Sequence, residues 1–184
     1  MTTAIFGRGL PLTEDEFFAL EPANERVELF DGSLYVTPAP SPRHQHISSK
    51  LMMLLWQPAE HAGLHVHEGV NVRLKVGRIP IPDLAVTGPI DYDDNVVDAA
   101  AVRLVCEIVS PSNASTDKVL KMHYYAAARI PWYLLIEQDT GRLHLYRLTG
   151  ETYVEHSTTD VGQTLRLNDP VDVTITPEDL LPPR

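Results

Sequence analysis

RLVCEIV (103–109), STDKVLKMHYYAAAR (115–129) and PWYLLIE (131–137) form the stretch whose reading decides the fold. In the first run Leu104, Cys106 and Ile108 alternate with Val105 and Val109, so both faces are apolar. That pattern marks a strand central to a sheet and covered on both sides. Ser110-Pro111-Ser112 ends it, a helix follows from about Thr116 to Arg129, and a second strand covers 131–137. Glu107 sits in the middle of the first strand, on the side of Val105 and Val109. An ionised carboxylate left unpaired there is strongly unfavourable, so Glu107 requires a cation, a metal ion or a raised pKa.

The helix supplies a cation. At 100° per residue Asp117, Lys121, Tyr124 and Ala128 share one stripe, with Leu120 and Tyr125 beside it. Lys118, Met122 and Arg129 are expected to point outward, and Lys121 toward the sheet. Upstream, HVHEGVNVRLK (65–75) and RIPIPDLAV (78–86) read as strands, followed by an acidic, turn-rich loop over 88–100. Asp83 alternates with Ile81 and Ala85 and so shares a face with apolar neighbours. Pro80 and Pro82 cannot donate to a ladder, which places Asp83 near where pairing starts.

Nearer the N-terminus, Thr13 and Glu16 form a capping-box signature ahead of a short helix. RVELF and SLYVT flank Asp31-Gly32, which predicts a tight hairpin. Ile47, Leu51, Leu54 and Leu55 recur at helical spacing from Pro42 to about Glu60. RLHLYRL (142–148) and weaker strands close the chain. The order predicts a mixed α/β (α+β) fold, a central mixed sheet flanked by helices. The expected layout is a single domain over 1–184, with a core of about 42–137, an N-terminal helix and hairpin over 12–37, and added strands over 142–181. No Gly-rich loop joins a strand to a helix, so neither a dinucleotide fold nor a Walker-type phosphate cradle is supported.

The 184 residues, 43% apolar and 22% charged, suffice for a core and exclude intrinsic disorder. No apolar run is long enough to span a bilayer, no signal-peptide pattern opens the chain, and Cys106 is the single cysteine. These features predict a cytoplasmic protein without a membrane partner. A net charge of −10 opposes nucleic-acid binding, but Arg73, Lys75 and Arg78 cluster and predict a local basic edge.

Asp83 and Glu107 on neighbouring strands suit Mg2+ (or Mn2+), a hard cation that takes one or two carboxylates and keeps its waters. A nearby ammonium could then orient or deprotonate an attacking water, which is the chemistry of phosphodiester hydrolysis. With this the chain resembles the PD-(D/E)xK nuclease superfamily, and within it the Uma-two (Uma2) group of restriction-endonuclease-like proteins. The resemblance rests on VELFDG (27–32), SPRHQHI (41–47), IPDLAV (81–86) and CEIVSPSNASTDKVLKMHYYAAARIPWYLLIE (106–137). It implies a restriction-endonuclease-like fold and a Mg2+-dependent endonuclease acting on DNA, with Pro82-Asp83 at the family's first acid and Glu107 at its second. The superfamily lysine normally follows two residues after that acid, where this chain has Val109; in the Uma-two group it stands on the next helix, at the position of Lys121. The group usually has a glycine before its Val-Pro step, where this chain has Arg129-Ile130-Pro131. The resemblance also allows Glu28 to approach the metal, although Glu28 alternates with Val27 and Leu29 and by that pattern is expected to be solvated. Many such nucleases cut as pairs, which makes a homodimer an expectation.

Plainer readings stand beside these. Asp83 could cap backbone donors, Glu107 and Lys121 could pair for packing alone, and Asp117 and Lys121 could be a surface i,i+4 pair. His44 falls on the Ile47 and Leu51 stripe and is expected to be partly buried, with phosphate contact as the alternative; His46 is expected to point away. His65 and His67 share a strand face and could form half of a metal site. The rival functions are therefore a non-catalytic binding or assembly module and a histidine-metal enzyme. Lys121 separates the readings: as a site residue it is expected within reach of both acids.

Overall fold

A computed structural model describes residues 3–5, 11–20, 26–110 and 116–183. In chain order the elements are β1 (Thr3–Ile5), α1 (Glu14–Phe18), β2 (Arg26–Phe30), β3 (Ser33–Thr37), α2 (Pro42–His61), β4 (His65–Glu68), β5 (Val72–Arg73), β6 (Arg78–Ile79) and β7 (Leu84–Thr87). There follow β8 (Val97–Asp98), a 3-10 turn over Ala99–Ala101, β9 (Val102–Val109), α3 (Thr116–Ala127), β10 (Trp132–Glu137), β11 (Leu143–Thr149), β12 (Thr152–Thr159), β13 (Leu165–Leu167), β14 (Val173–Ile175) and α4 (Pro177–Leu180).

The central sheet has the order β12-β11-β10-β9-β7-β4. Only β9 and β10 run parallel, joined by α3, and the other neighbours are antiparallel, so the sheet is mixed as the sequence predicted. β9 is buried on both faces. Leu104, Cys106 and Ile108 pack with Ile47, Leu51 and Leu55 of α2. On the other face Val105 packs with Tyr125 of α3, Tyr133 and Leu135. Burial of such side chains stabilises by about 1.5–3 kcal/mol each, which is why these two helices clamp the sheet.

A second sheet, β1-β3-β2-β6, carries the hairpin. Asp31 (φ 49) and Gly32 (φ 84) both occupy the left-handed region that a two-residue turn of this hand requires. Gly32 is doubly constrained, since a Cβ there would come within 2.3 Å of Pro11 Cβ. Thr13 and Glu16 close the expected capping box at α1.

Four local expectations are corrected. The run 65–75 is two strands, interrupted at Gly69 (φ 62), and 78–86 is likewise broken between Ile79 and Leu84; two prolines in five residues deny that interval a ladder. Met122 is half-buried against the Tyr125 side of the core rather than outward, because the apolar surface around α3 is wider than one wheel stripe. His46 is half-buried too, its Nε2 enclosed. The expected basic edge is neutralised: Arg73 pairs with Glu14 and Asp98, and Lys75 and Arg78 both pair with Asp31. Arg129, where the resembling group has glycine, adopts φ 64 two residues past the end of α3, a conformation that favours glycine. Residues 111–115 and the side chains of Asp117 and Lys118, with the expectations placed on them, lie outside the described residues.

Candidate active site

Three carboxylates meet where β2, the start of β7 and the end of β9 approach one another. Asp83 immediately precedes β7 and is 4% exposed; Glu107 lies in β9 and Glu28 in β2, and both are buried. The Pro80-Ile81-Pro82 segment explains how β2 enters. Between two prolines Ile81 has the only N–H, and buried backbone groups need partners. Glu28 Oε1 accepts from Ile81 N at 2.7 Å, and the Arg26 guanidinium donates to the Ile81 carbonyl. Arg26 and Glu28, two residues apart on one face of β2, thus replace the missing strand pairing.

The expectation that Glu28 is solvated is therefore wrong. Alternation along β2 showed which face Glu28 shares, but not that α3 and the Ile81 segment cover that face. Lys121 Nζ stands 2.8 Å from Glu28 Oε1 and 3.3 Å from Glu107 Oε1. Tyr125 donates its hydroxyl to Glu107 Oε1 at 2.7 Å. The wheel placed Lys121 toward the sheet correctly, but the expected reach of both Asp83 and Glu107 is not met: Lys121 pairs with Glu107 and Glu28, and Asp83 with Arg26 and His44, which counts toward the plainer, non-catalytic reading.

Asp83 is served by other residues. Its Oδ1 accepts from Arg26 Nη1 at 2.6 Å, and its Oδ2 accepts from the Ile108 amide at 2.7 Å and lies 3.1 Å from His44 Nε2. Two of the plainer readings are thus realised in part, since Asp83 does cap a backbone donor and Glu107 does pair with Lys121. The two halves, Arg26–Asp83–His44 and Glu28–Lys121–Glu107, join at the Glu107-Ile108 peptide.

The pKa directions follow from this arrangement. Burial pushes the Asp83 carboxyl up, but the His44 hydrogen bond, the Arg26 charge and the Ile108 amide outweigh it and hold Asp83 well below the usual carboxylate range. Glu107 is pushed up to about 7 by burial; Lys121 opposes the rise, and the charges of Asp83 and Glu28 add to it. Burial lowers Lys121, but Glu107 and Glu28 more than reverse it and raise its pKa above the ordinary lysine value. The two carboxylates thus favour the protonated form of Lys121.

The charges decide what else the site can take. Glu28, Asp83 and Glu107 are three potential anions and Arg26 and Lys121 two cations, so full ionisation leaves one surplus negative charge. That surplus adds to burial, the main cause, in raising the pKa of Glu107. Hard oxygen donors with surplus negative charge fit Mg2+ or Mn2+. Among the described residues no three His, Cys, Asp or Glu side chains form a metal-holding group. A cleft of about 250 Å3, lined by Arg26, His44, Ser48, Glu68 and Asp83 among others, opens onto the Asp83 half.

His65 and His67 lie on β4 with ring centres 6.4 Å apart, beside Tyr92, and His67 Nε2 is 3.1 Å from Thr87 Oγ1. Tyr124 is half-buried and stacked on Phe30, with Arg78 over its ring. Arg26 is the site residue that sequence reasoning missed. Its signal was the Arg-x-Glu spacing on β2 opposite a Pro-x-Pro segment, which has a donor and an acceptor to satisfy.

Comparison with known proteins bears on the family and the fold. The model of the Uma2 family, described as "Putative restriction endonuclease", matches residues 14–178. No curated protein matches the chain. Among solved structures the chain is similar to a putative nuclease belonging to DUF820 from Anabaena variabilis ATCC 29413, at 17% identity and a TM-score of 0.75 over 92% of this chain and 97% of that one. At that identity the likeness establishes the shared fold.

Proposed function

Because the chain belongs to the Uma2 family of restriction-endonuclease-like proteins, we propose that it is a metal-dependent endonuclease that hydrolyses DNA phosphodiester bonds at the Asp83 and Glu107 carboxylates. The observation that carries this reading is the junction itself: Asp83 is hydrogen-bonded to the amide that follows Glu107, so two buried acids from adjacent strands share one peptide. Asp83 and Glu107 are the residues to hold Mg2+ or Mn2+, with Glu28 as a further oxygen donor at the Lys121 side. Such an ion supplies Lewis-acid polarisation of the phosphoryl oxygen and a bound water of lowered pKa. Lys121, protonated between Glu28 and Glu107, orients the attacking water as a donor and offsets charge on the phosphoryl oxygens. Tyr125 holds Glu107 in place through its hydroxyl. The described span works in this reading as one nuclease domain in the cytoplasm, and cutting both strands calls for a homodimer.

Purified protein should nick supercoiled plasmid with Mg2+ or Mn2+ and not with EDTA, and Asp83→Asn or Glu107→Gln should reduce the rate by at least about a hundredfold, as expected for removal of a metal or charge-stabilising contact. A wild-type protein that neither nicks plasmid nor responds to metal would rule this reading out. The second reading is a non-catalytic binding module of the same fold. It is favoured by the partners that already surround both acids, and by the pairing of Arg73, Lys75 and Arg78 with acids instead of phosphate. Plasmid retardation without cleavage would be its signature.

A further inference from the structure

Asp83 has little free capacity for a metal ion. A carboxylate offers about four lone-pair positions, and three are taken: one by Arg26, one by the Ile108 amide and one by His44. The Ile108 contact belongs to the backbone of β9 and cannot be released without disturbing the sheet. Arg26 differs in every respect that matters. It stands at the first position of β2, its side chain is 24% exposed, and its long stem borders the cleft that leads to Asp83. It is also a permanent cation, so a divalent ion at Asp83 Oδ1 would meet both an occupied oxygen and a like charge.

We infer that Arg26 is the resident counter-ion of this metal site: it holds Asp83 Oδ1 in the metal-free protein and gives that oxygen up when a divalent cation binds. The inference rests on the metal-dependent reading above. It also accounts for the satisfaction of a buried acid while no metal is bound, since Asp83 without Arg26 would be a desolvated anion with only the Ile108 amide and His44 beside it. Occupation by Arg26 lowers the apparent metal affinity, because each binding event must first break the guanidinium contact.

The test is Mn2+ binding to the full chain, measured by isothermal titration and by thermal shift, for wild type and Arg26→Gln. Glutamine keeps an amide donor for the Ile81 carbonyl and removes the charge. Arg26→Gln should bind Mn2+ about tenfold or more tightly, and its melting temperature, below wild type without metal, should approach wild type at saturating Mn2+. Should circular dichroism show that Arg26→Gln does not fold, Arg26→Lys is read instead, with a smaller gain in affinity expected because the charge remains and the bidentate fork is lost. Equal or weaker Mn2+ binding by the variant, with clear binding by wild type, overturns this inference alone. No Mn2+ binding by either protein overturns the metal reading and this inference with it.

Discussion

Lys121→Met should destabilise the protein by about 3–5 kcal/mol, the range for removing one partner of a buried ion pair. It should also abolish metal-dependent nicking. Lys121 serves two buried carboxylates at once, Glu28 at 2.8 Å and Glu107 at 3.3 Å, and its own side chain is only 15% exposed. Methionine matches the stem in length and keeps the packing of α3 on the sheet, so the loss reads charge and not a cavity. Glu107, already raised to about 7, should rise further in the variant. Urea denaturation with the slope unchanged would give the stability term. A loss below about 1 kcal/mol would mean that water reaches the pair and that it behaves as a surface bridge.

Asp83→Ala is the second large effect, and its pH dependence distinguishes it from simple loss of packing. The substitution leaves the Arg26 guanidinium and the Ile108 amide without their carboxylate, so a loss of about 3–5 kcal/mol at neutral pH is expected. Because the folded pKa of Asp83 is depressed, its contribution is complete above the unfolded value of about 3.9 and is lost as the pH falls through the folded value. The Asp83 share of the gap should therefore be complete above about pH 5 and lost below about pH 4, while between about pH 5 and pH 8 the gap should shrink somewhat as pH rises, because the Asp83 charge adds to the raised pKa of Glu107 in wild type only. Denaturation curves across that range decide the matter, and a gap independent of pH would show that Asp83 acts through volume alone.

The fold was largely legible in the sequence, for definite reasons. β9 announces itself because both of its faces are apolar, and α3 because its wheel has one clear stripe. Asp31-Gly32 specifies its turn by backbone conformation alone. Legibility failed where long-range packing decides. Glu28 looked solvated because alternation describes one strand and not what covers it, and Met122 was misplaced because α3 is buried over more than one stripe. The basic cluster of Arg73, Lys75 and Arg78 was read without its partners, which come from residues 44 to 59 positions away as well as from Asp98.

The site was legible in its acids and only half legible in its cations. Glu107 declared itself through its apolar surroundings, and Lys121 through the wheel. Arg26 gave no comparable signal, since its role arises from the unpaired donor and acceptor of Ile81 between two prolines. Finding Lys121 on Glu28 and Glu107, with Arg26 and His44 on Asp83, divides the site into an Asp83 half balanced by Arg26 and a Lys121 half that carries the surplus negative charge. In the proposed reading the metal ion is shared across the peptide that joins them.

The most direct measurement is a crystal structure of the full chain soaked in Mn2+, with anomalous scattering to locate the ion. This account predicts one strong peak bonded to carboxylate oxygens of both Asp83 and Glu107 at about 2.1 Å, with the Arg26 guanidinium moved off Asp83 Oδ1. A peak at His65 and His67 in its place, or no peak beside Asp83 while Arg26 stays 2.6 Å from Oδ1, would contradict it.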